Sequence, residues 1–319
     1  MTLPVLRTAD AWWLQRPDGA VRIATDATTT AELLADRDAV VAARDAVVAA
    51  RDAGDPVPVD DLALVSPVTA PCRVVAQMAN YASHAKDAGM DPDAVPLAFF
   101  RKASGSISGP TDDIVRPAHV ALLDYEVEIG LVLGREVPVG TEVAESDLPG
   151  MVAALVVTND VSARDQQLPK TQFYESKSYP TFTPTGPVLL ILEDGELARF
   201  PELRLRLWVN GELRQDQPAS DMIYGPLAAF RALARFQQLA PGDLLLTGTP
   251  VGTALSAPPK PIEVIGSLLP PATKWRIFFA KQAKNPRYLQ DGDLVEVSIA
   301  TDDGAIDLGS QRTRVRWTA

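Results

Sequence analysis

Cysteine and net positive charge are scarce in this 319-residue sequence. Its single cysteine, Cys72, cannot form an intramolecular disulfide, and such scarcity is typical of a reducing compartment. The formal net charge of −11 disfavours binding to nucleic acid or anionic lipid, because both attract clusters of Lys and Arg. We therefore expect neither a nucleic-acid nor a membrane partner.

Long hydrophobic runs are also absent. No apolar stretch reaches the roughly 20 residues that a transmembrane helix needs. Residues 1–13 lack the basic and apolar segments of a signal peptide, which predicts a cytoplasmic protein. The hydrophobic fraction of 46% is ordinary for a globular chain, so function has to be inferred from local patterns.

Residues 1–61 predict a small N-terminal region. Apolar and polar residues alternate around residues 12–14 and 21–23, a pattern typical of a hairpin. A helix should follow, with Thr30 as its N-cap, because an alanine-rich heptad occurs twice between Arg37 and Ala50. We interpret this repeat as a local duplication without a chemical role.

Residues 62–319 predict a second, predominantly β region. Short runs rich in Val, Ile and Leu alternate with Gly and Pro, which is typical of strands and turns. The predicted strands are Leu131 to Leu133, Leu155 to Thr158, Val188 to Leu192, Leu203 to Val209, Leu244 to Thr247 and Leu294 to Ile299. A helix is expected from Pro226 to Gln238. Residues 257–287, rich in Pro and then in aromatic residues and Lys, are predicted to be an insertion, either a surface elaboration or a lid.

Two acidic residues share one face of the predicted strand from Asp124 to Leu133. Side chains two positions apart on a strand point the same way, so Glu126 and Glu128 should lie side by side. A hard divalent cation would relieve their repulsion. The alternative is the acidic outer face of a half-exposed strand.

Two further segments carry candidate site residues. Asp160 directly follows an apolar strand, where an aspartate can bind a cation but also commonly forms a turn or a helix cap. His84 and Asp87 are three residues apart, so on a helix the carboxylate could orient the imidazole as a general base. A surface pair is the alternative. The other histidine, His119, is interpreted as structural.

Six blocks, in this order, resemble the fumarylacetoacetate hydrolase family. They are Asn80-Tyr81-x-x-His84, Asp124-Tyr125-Glu126-x-Glu128, Asn159-Asp160-Val161-Ser162-Ala163-Arg164-Asp165-x-Gln167, Lys177-Ser178 with Thr185-Gly186-Pro187, Val209-Asn210-Gly211-Glu212 with Gln215-Asp216, and Pro241-Gly242-Asp243 with Thr247-Gly248-Thr249-Pro250. The resemblance runs from about Leu62 to the C-terminus.

This resemblance implies an α+β, predominantly β fold: a mixed β-sandwich roll with a small N-terminal appendage, assembled as a homodimer. It implies that a divalent cation, Mg²⁺ or else Mn²⁺ or Ca²⁺, is bound by Glu126, Glu128 and Asp160. The implied catalytic and substrate-binding residues are His84, Asp87 and Lys177, and Tyr81, Lys102, Arg164, Gln167 and Thr249.

Two positions depart from the family pattern. Asp87 stands where many small members have Glu, and Gln77 stands where larger hydrolases have a further metal-ligating Asp, so three protein ligands are expected. Asp124 should point to the same face of the strand as the two glutamates, but it should lie too far along the strand to bind the same cation.

Three functions remain open from the sequence. The first is metal-dependent hydrolysis of a carbon-carbon bond in an acylpyruvate or another 1,3-dicarbonyl compound. The second is decarboxylation or tautomerisation of a 2-oxo dicarboxylate such as oxaloacetate. The third is a non-catalytic relative that binds a metal or a metabolite, which His84, Asp87 and Lys177 argue against because a binder needs no base.

Overall fold

The computed structural model describes residues 3–48, 55–193, 195–255 and 269–318. Residues 257–268 of the predicted insertion and Ala49 and Ala50 of the predicted helix lie outside the described residues.

The strands are β1 (Leu3–Arg7), β2 (Trp12–Arg16), β3 (Gly19–Arg22), β4 (Val74–Gln77), β5 (Phe99–Lys102), β6 (Ile107–Ser108), β7 (Ile114–Arg116), β8 (Leu123–Asp124), β9 (Val127–Leu133), β10 (Val152–Asn159), β11 (Ser162–Ala163), β12 (Thr183–Pro184), β13 (Leu189–Ile191), β14 (Leu203–Val209), β15 (Glu212–Pro218), β16 (Leu244–Leu246), β17 (Leu294–Thr301) and β18 (Asp307–Trp317). The helices are α1 (Thr30–Ala35), α2 (Arg37–Val48), α3 (Ala82–Asp87), α4 (Leu148–Met151), α5 (Arg164–Gln167), α6 (Tyr174–Lys177), α7 (Pro226–Leu233) and α8 (Pro271–Gln282).

Two large sheets form the body of the fold. The first has nine strands in the order β3-β2-β1-β13-β10-β9-β16-β4-β5, and the second has five in the order β15-β14-β17-β18-β7. Parallel and antiparallel pairs both occur in the first sheet, since β16 pairs parallel with β4 and antiparallel with β9. The predicted α+β, predominantly β fold is confirmed.

The nine-stranded sheet is buried on both faces. One face of β9, which carries Ile129 and Leu131, shares a core with Leu205 and Ile299 of the five-stranded sheet. The opposite face carries Val132 and packs with residues of the N-terminal strands and helices. Both faces of β9 therefore exclude water, and any charged side chain on this strand has to find its partners within the protein.

Most predicted elements are present, with three differences. The hairpin of β2 and β3 is confirmed, but the helix after it is capped by Thr29, whose side chain accepts the N–H of Glu32, and Thr30 is its first residue. Helix α7 ends at Leu233, five residues before the predicted end at Gln238. The acidic strand is interrupted after β8, so Glu126 precedes β9.

The N-terminal strands continue the main sheet through the antiparallel pair of β1 and β13. A boundary at residue 61 and the homodimer both stay predictions. Within the described residues, no helix is long and apolar enough to cross a membrane.

Candidate active site and metal centre

Three buried carboxylates meet where β9 begins and β10 ends. The antiparallel register places Asn159 opposite Val127, and the Asp160 N–H donates to the Glu126 carbonyl at 2.8 Å. One oxygen from each of Glu126, Glu128 and Asp160 lies within 4.8 Å of the others. The two strands thus bring together residues more than 30 positions apart in the sequence.

The alternative explanation of the two glutamates, the acidic outer face of a half-exposed strand, does not fit the structure. Every residue of β9 is buried, so Glu128 is not part of a half-exposed polar face. Glu126, Glu128 and Asp160 are only 6%, 1% and 0% exposed. Buried carboxylates need compensating charge or hydrogen bonds, because an isolated buried charge is strongly destabilising.

Two lysines supply part of that compensation. Lys177, at the end of α6, donates to Glu126 Oε2 at 2.7 Å and to Asp160 Oδ2 at 2.6 Å. Lys102, at the end of β5, donates to the other Asp160 oxygen and to the Phe182 carbonyl, the latter at 2.8 Å. Both lysines are essentially inaccessible to solvent.

Glu128 is the carboxylate without such a cation. Its Oε2 accepts the Gly248 N–H at 2.8 Å, and among the described residues no Lys or Arg forms a salt bridge with it. Burial, together with the charges of Asp160 and Glu126, raises the pKa of Glu128 well above its usual range. Three clustered carboxylate oxygens, with no positive side chain paired to Glu128 among the described residues, are the ligands that a hard divalent cation prefers.

The electrostatic environment of Glu126 is the opposite. Burial alone would raise the pKa of Glu126, but the Lys177 ammonium and the Arg164 guanidinium outweigh it and hold that pKa below its usual value. Burial also lowers the pKa of Lys102 despite its contact with Asp160. Glu126 is therefore held in its ionised form, whereas the environment of Glu128 favours the neutral form.

Arg164 lies beside the cluster at the start of α5. Its guanidinium donates to Glu126 Oε1 at 2.5 Å, to Gln167 Oε1 at 2.8 Å and to Asp124 Oδ2 at 2.8 Å. The predicted substrate-binding residues Arg164 and Gln167 are thus joined to each other and to a predicted metal ligand. A guanidinium fixed in this way is suited to binding a carboxylate.

His84 lies on α3, which confirms the predicted short helix. Its Nδ1 is buried and has no hydrogen-bond partner among the residues that the structure describes. Asp87 is exposed, and no hydrogen bond joins the two side chains. Burial lowers the pKa of His84, with smaller opposing influences from Glu126 and Asp87. Tyr81, the residue before α3, is fully buried, and burial raises the pKa of its hydroxyl well above the usual value.

Thr249 lies in the segment after β16 and contacts the start of β9. Its hydroxyl donates to the Val127 carbonyl at 3.0 Å and accepts from Gln215 Nε2 at 2.9 Å. The Gln215 Oε1 accepts the Val127 N–H at 3.0 Å, so this side chain joins β15 to the first residue of β9. Gln215 belongs to one of the six family blocks but had no predicted role. Nothing in the sequence around it indicates that its side chain contacts Val127 and Thr249.

Cys72 is partly buried and has no disulfide partner. Burial raises its thiol pKa to about 12, so the thiolate that a nucleophile or metal ligand needs is disfavoured.

Comparison with known proteins identifies relatives over most of the chain. The model of the family described as fumarylacetoacetate (FAA) hydrolase C-terminal matches residues 73–316. The fumarylacetoacetate hydrolase domain-containing protein 2 homolog of Dictyostelium discoideum is 33% identical over 214 residues, which are 65% of this chain and 68% of that protein. The mitochondrial oxaloacetate tautomerase Fahd2a of Rattus norvegicus is 33% identical over 204 residues, 64% of this chain and 63% of the rat protein. The match thus spans less than two thirds of the rat protein.

Solved structures resemble the whole chain. A probable 2-hydroxyhepta-2,4-diene-1,7-dioate isomerase from Mycobacterium abscessus has a TM-score of 0.72 and 28% identity, with both chains fully covered. Maleylpyruvate hydrolase from Sphingobium sp. SYK-6, in complex with manganese(II) and pyruvate, has the same TM-score at 21% identity, covering 99% of this chain and 100% of that one. The latter likeness concerns the fold alone. Because one relative is named as mitochondrial, the cytoplasmic location stays a prediction.

Proposed function

The chain belongs to the fumarylacetoacetate hydrolase family, and on this premise we propose that it is a divalent-metal-dependent enzyme that interconverts the keto and enol forms of a 2-oxo dicarboxylate. The observation that carries the proposal is the buried cluster of Glu126, Glu128 and Asp160 with the Lys177 ammonium against it. The activities for which two relatives are named, oxaloacetate tautomerase and probable 2-hydroxyhepta-2,4-diene-1,7-dioate isomerase, support this reaction class.

Glu126, Glu128 and Asp160 are the residues that would hold the cation. When bound, a hard divalent cation withdraws electrons from a neighbouring carbonyl oxygen and makes the adjacent C–H more acidic. Mg²⁺ suits such oxygen ligands, and Mn²⁺ and Ca²⁺ are accepted by similar sets.

The chain's own residues supply binding and proton transfer. Arg164 binds a substrate carboxylate, because its guanidinium lies beside the cluster, and Gln167 Oε1 accepts from that guanidinium and holds it in place. Neutral His84 takes a proton from the carbon next to the carbonyl, and its lowered pKa keeps the imidazole unprotonated at neutral pH. Lys177 stabilises the negative charge that then develops on the oxygen, and the His84 imidazolium formed in the first step returns its proton to this oxygen to give the enol.

Hydrolysis of an acylpyruvate is a second candidate. The free, buried Nδ1 of His84 favours it, because this nitrogen could accept a proton from water before the hydroxide attacks the distal carbonyl. In the present structure the imidazole lacks the hydrogen bond to Asp87 that would orient it. We therefore place tautomerisation first, since it needs one proton-transfer group and no attacking water.

The test is an ultraviolet assay of oxaloacetate tautomerisation with metal-stripped protein, followed by addition of Mg²⁺ or Mn²⁺. We expect a metal-dependent rate above that of buffer with the same cation, and loss of this excess rate in Glu126→Gln. Equal rates with and without metal, or an unimpaired variant, would refute the proposal. Lys170→Met, which removes an exposed ion pair with Glu175, is the control for handling and folding.

A parallel assay separates the two candidates. The same preparations are given an acylpyruvate, and pyruvate release is measured. Hydrolysis faster than tautomerisation, abolished in His84→Ala, would place the second candidate first. Absence of both activities, with retained cation binding, would favour the non-catalytic alternative.

A further inference from the structure

Asp124 is fully buried beside the three-carboxylate cluster, but neither metal binding nor the proposed reaction uses it. Its Oδ1 accepts the N–H groups of Tyr125 at 2.8 Å and Ala254 at 2.7 Å. Its Oδ2 accepts Arg164 Nε at 2.8 Å and the Leu255 N–H at 3.1 Å. Four donors occupy the two oxygens, which leaves the carboxylate little capacity to bind a cation as well.

Arg164 depends on this carboxylate for its orientation. The Nε–H bond to Asp124 fixes one edge of the planar guanidinium, and the Nη groups then point to Glu126 and Gln167. Arg164 is only 4% exposed, so bulk water has little access to its guanidinium. Asp124 thus holds the Nε edge of the guanidinium, opposite the Nη groups that face Glu126 and Gln167.

The other contacts of Asp124 lead to the ends of the predicted insertion. Ala254 and Leu255, whose N–H groups Asp124 accepts, directly precede the insertion. Near the other end of the insertion, Asn285 Nδ2 donates to the Ala254 carbonyl at 2.8 Å. The chain then returns to β8, where the Leu289 N–H donates to the Leu123 carbonyl at 2.9 Å. Both ends of the insertion are therefore fastened next to Asp124.

We propose that Asp124 is a positioning residue that orients Arg164 toward the substrate carboxylate and couples this arginine to the loop of residues 252–255. The proposal rests on the proposed function only in assigning a carboxylate ligand to Arg164. It makes the anion-binding strength of the site depend on how firmly this loop is held.

The main variant is Asp124→Asn, which keeps the size of the side chain. An amide has one oxygen and one NH₂ group, so two of the four donors around residue 124 would face another donor. Asp165→Asn is the matched control. Asp165 is adjacent to Arg164 in sequence and accepts the N–H groups of Ala121 and Leu122, but it forms no hydrogen bond or salt bridge with the guanidinium.

The first readout is binding of oxalate, a planar dicarboxylate that resembles the enol form of a 2-oxo acid. Calorimetric titrations are performed on Mn²⁺-loaded protein, with thermal unfolding measured in parallel. We expect Asp124→Asn to weaken oxalate binding about tenfold or more, since a misdirected charged hydrogen bond is lost. Asp165→Asn should stay within twofold of the original protein.

The second readout is the kinetics of oxaloacetate tautomerisation. Asp124→Asn should raise KM more than it lowers kcat, because the changed residue acts on substrate binding through Arg164. Unchanged oxalate affinity and KM in folded Asp124→Asn would overturn the proposal. Equal losses in both variants, in proportion to their thermal stability, would also overturn it by indicating a purely structural role.

Asn285→Ala keeps the proposal testable if Asp124→Asn does not fold. It removes the bond to the Ala254 carbonyl without touching Asp124 or Arg164. A two- to threefold weakening of oxalate binding would support the coupling, and unchanged binding would overturn it. Oxalate binding without oxaloacetate turnover would refute the proposed function alone, since the oxalate readout does not require catalysis.

Discussion

Replacing Lys177 by Met removes the cation that joins two of the three clustered carboxylates. The ammonium lies 2.7 Å from Glu126 Oε2 and 2.6 Å from Asp160 Oδ2, with the side chains of all three residues at most 8% exposed. Methionine fills a similar volume but carries no charge. Glu126 would retain Arg164 as a partner, and Asp160 would retain Lys102.

The expected loss follows from these distances. At an effective dielectric constant of about 20, each contact is worth about 6 kcal/mol before desolvation. Desolvation of each ion offsets several kcal/mol of this, and removal of one partner from a buried pair typically destabilises by about 3–5 kcal/mol. For a chain of this size, that corresponds to a decrease in Tm of about 4–7 °C.

The assay is thermal unfolding in EDTA and in excess Mg²⁺ or Mn²⁺. Cation at 100 times its Kd stabilises the folded state by about 2.7 kcal/mol. Because the cation can replace the charge that Lys177 supplied, it should raise the Tm of the variant at least as much as that of the original protein. Unchanged stability of Lys177→Met in EDTA would refute this description of the cluster. The control is Lys170→Met, which removes an exposed ion pair with Glu175 and should change stability by only about 0–1 kcal/mol.

Three other predictions concern pH and backbone geometry. The pKa of Glu128 is raised in the folded protein, so its contribution to the stability of the metal-free protein is present below the pKa that it has in the unfolded chain and is lost as pH rises through its pKa in the folded protein. Glu128→Gln should therefore reduce the dependence of the free energy of unfolding on pH, measured by urea titrations at several pH values. The lowered pKa of His84 places the acidic limb of kcat/KM below pH 6.5, and a limb above that pH would contradict the base assignment. Gly248→Ala should reduce stability by about 1–3 kcal/mol in denaturant titrations, because Gly248 has φ +85° and a Cβ there would lie 2.8 Å from Asn80 Cβ. It should also reduce activity, because the Gly248 N–H donates to Glu128. Wild-type stability of the variant would contradict this prediction.

Local patterns predicted the elements well because apolar runs and side-chain alternation are local properties. The runs at Leu203 to Val209 and Leu294 to Ile299 became β14 and β17. The alternation that placed Glu126 and Glu128 on one side of a strand also holds across the interruption before β9, since both reach the same cluster.

Long-range pairing could not be predicted in the same way. The parallel pair of β4 and β16 joins residues 170 positions apart, as in Val74 opposite Leu244, and nothing in either segment specifies the other. The role of Asp124 was missed for a similar reason. Strand parity located it near the glutamates, but only the tertiary structure brings Arg164 and the loop at Ala254 to its oxygens.

The most direct test of the metal centre is a calorimetric titration of metal-stripped protein with Mn²⁺. Original protein and Glu128→Gln are compared, because Glu128 is the carboxylate that no lysine or arginine contacts among the described residues. The three-carboxylate site predicts one Mn²⁺ per chain in the original protein and at least tenfold weaker binding in the variant. Equal affinity in the two proteins, or no binding in either, would contradict a metal centre at Glu126, Glu128 and Asp160.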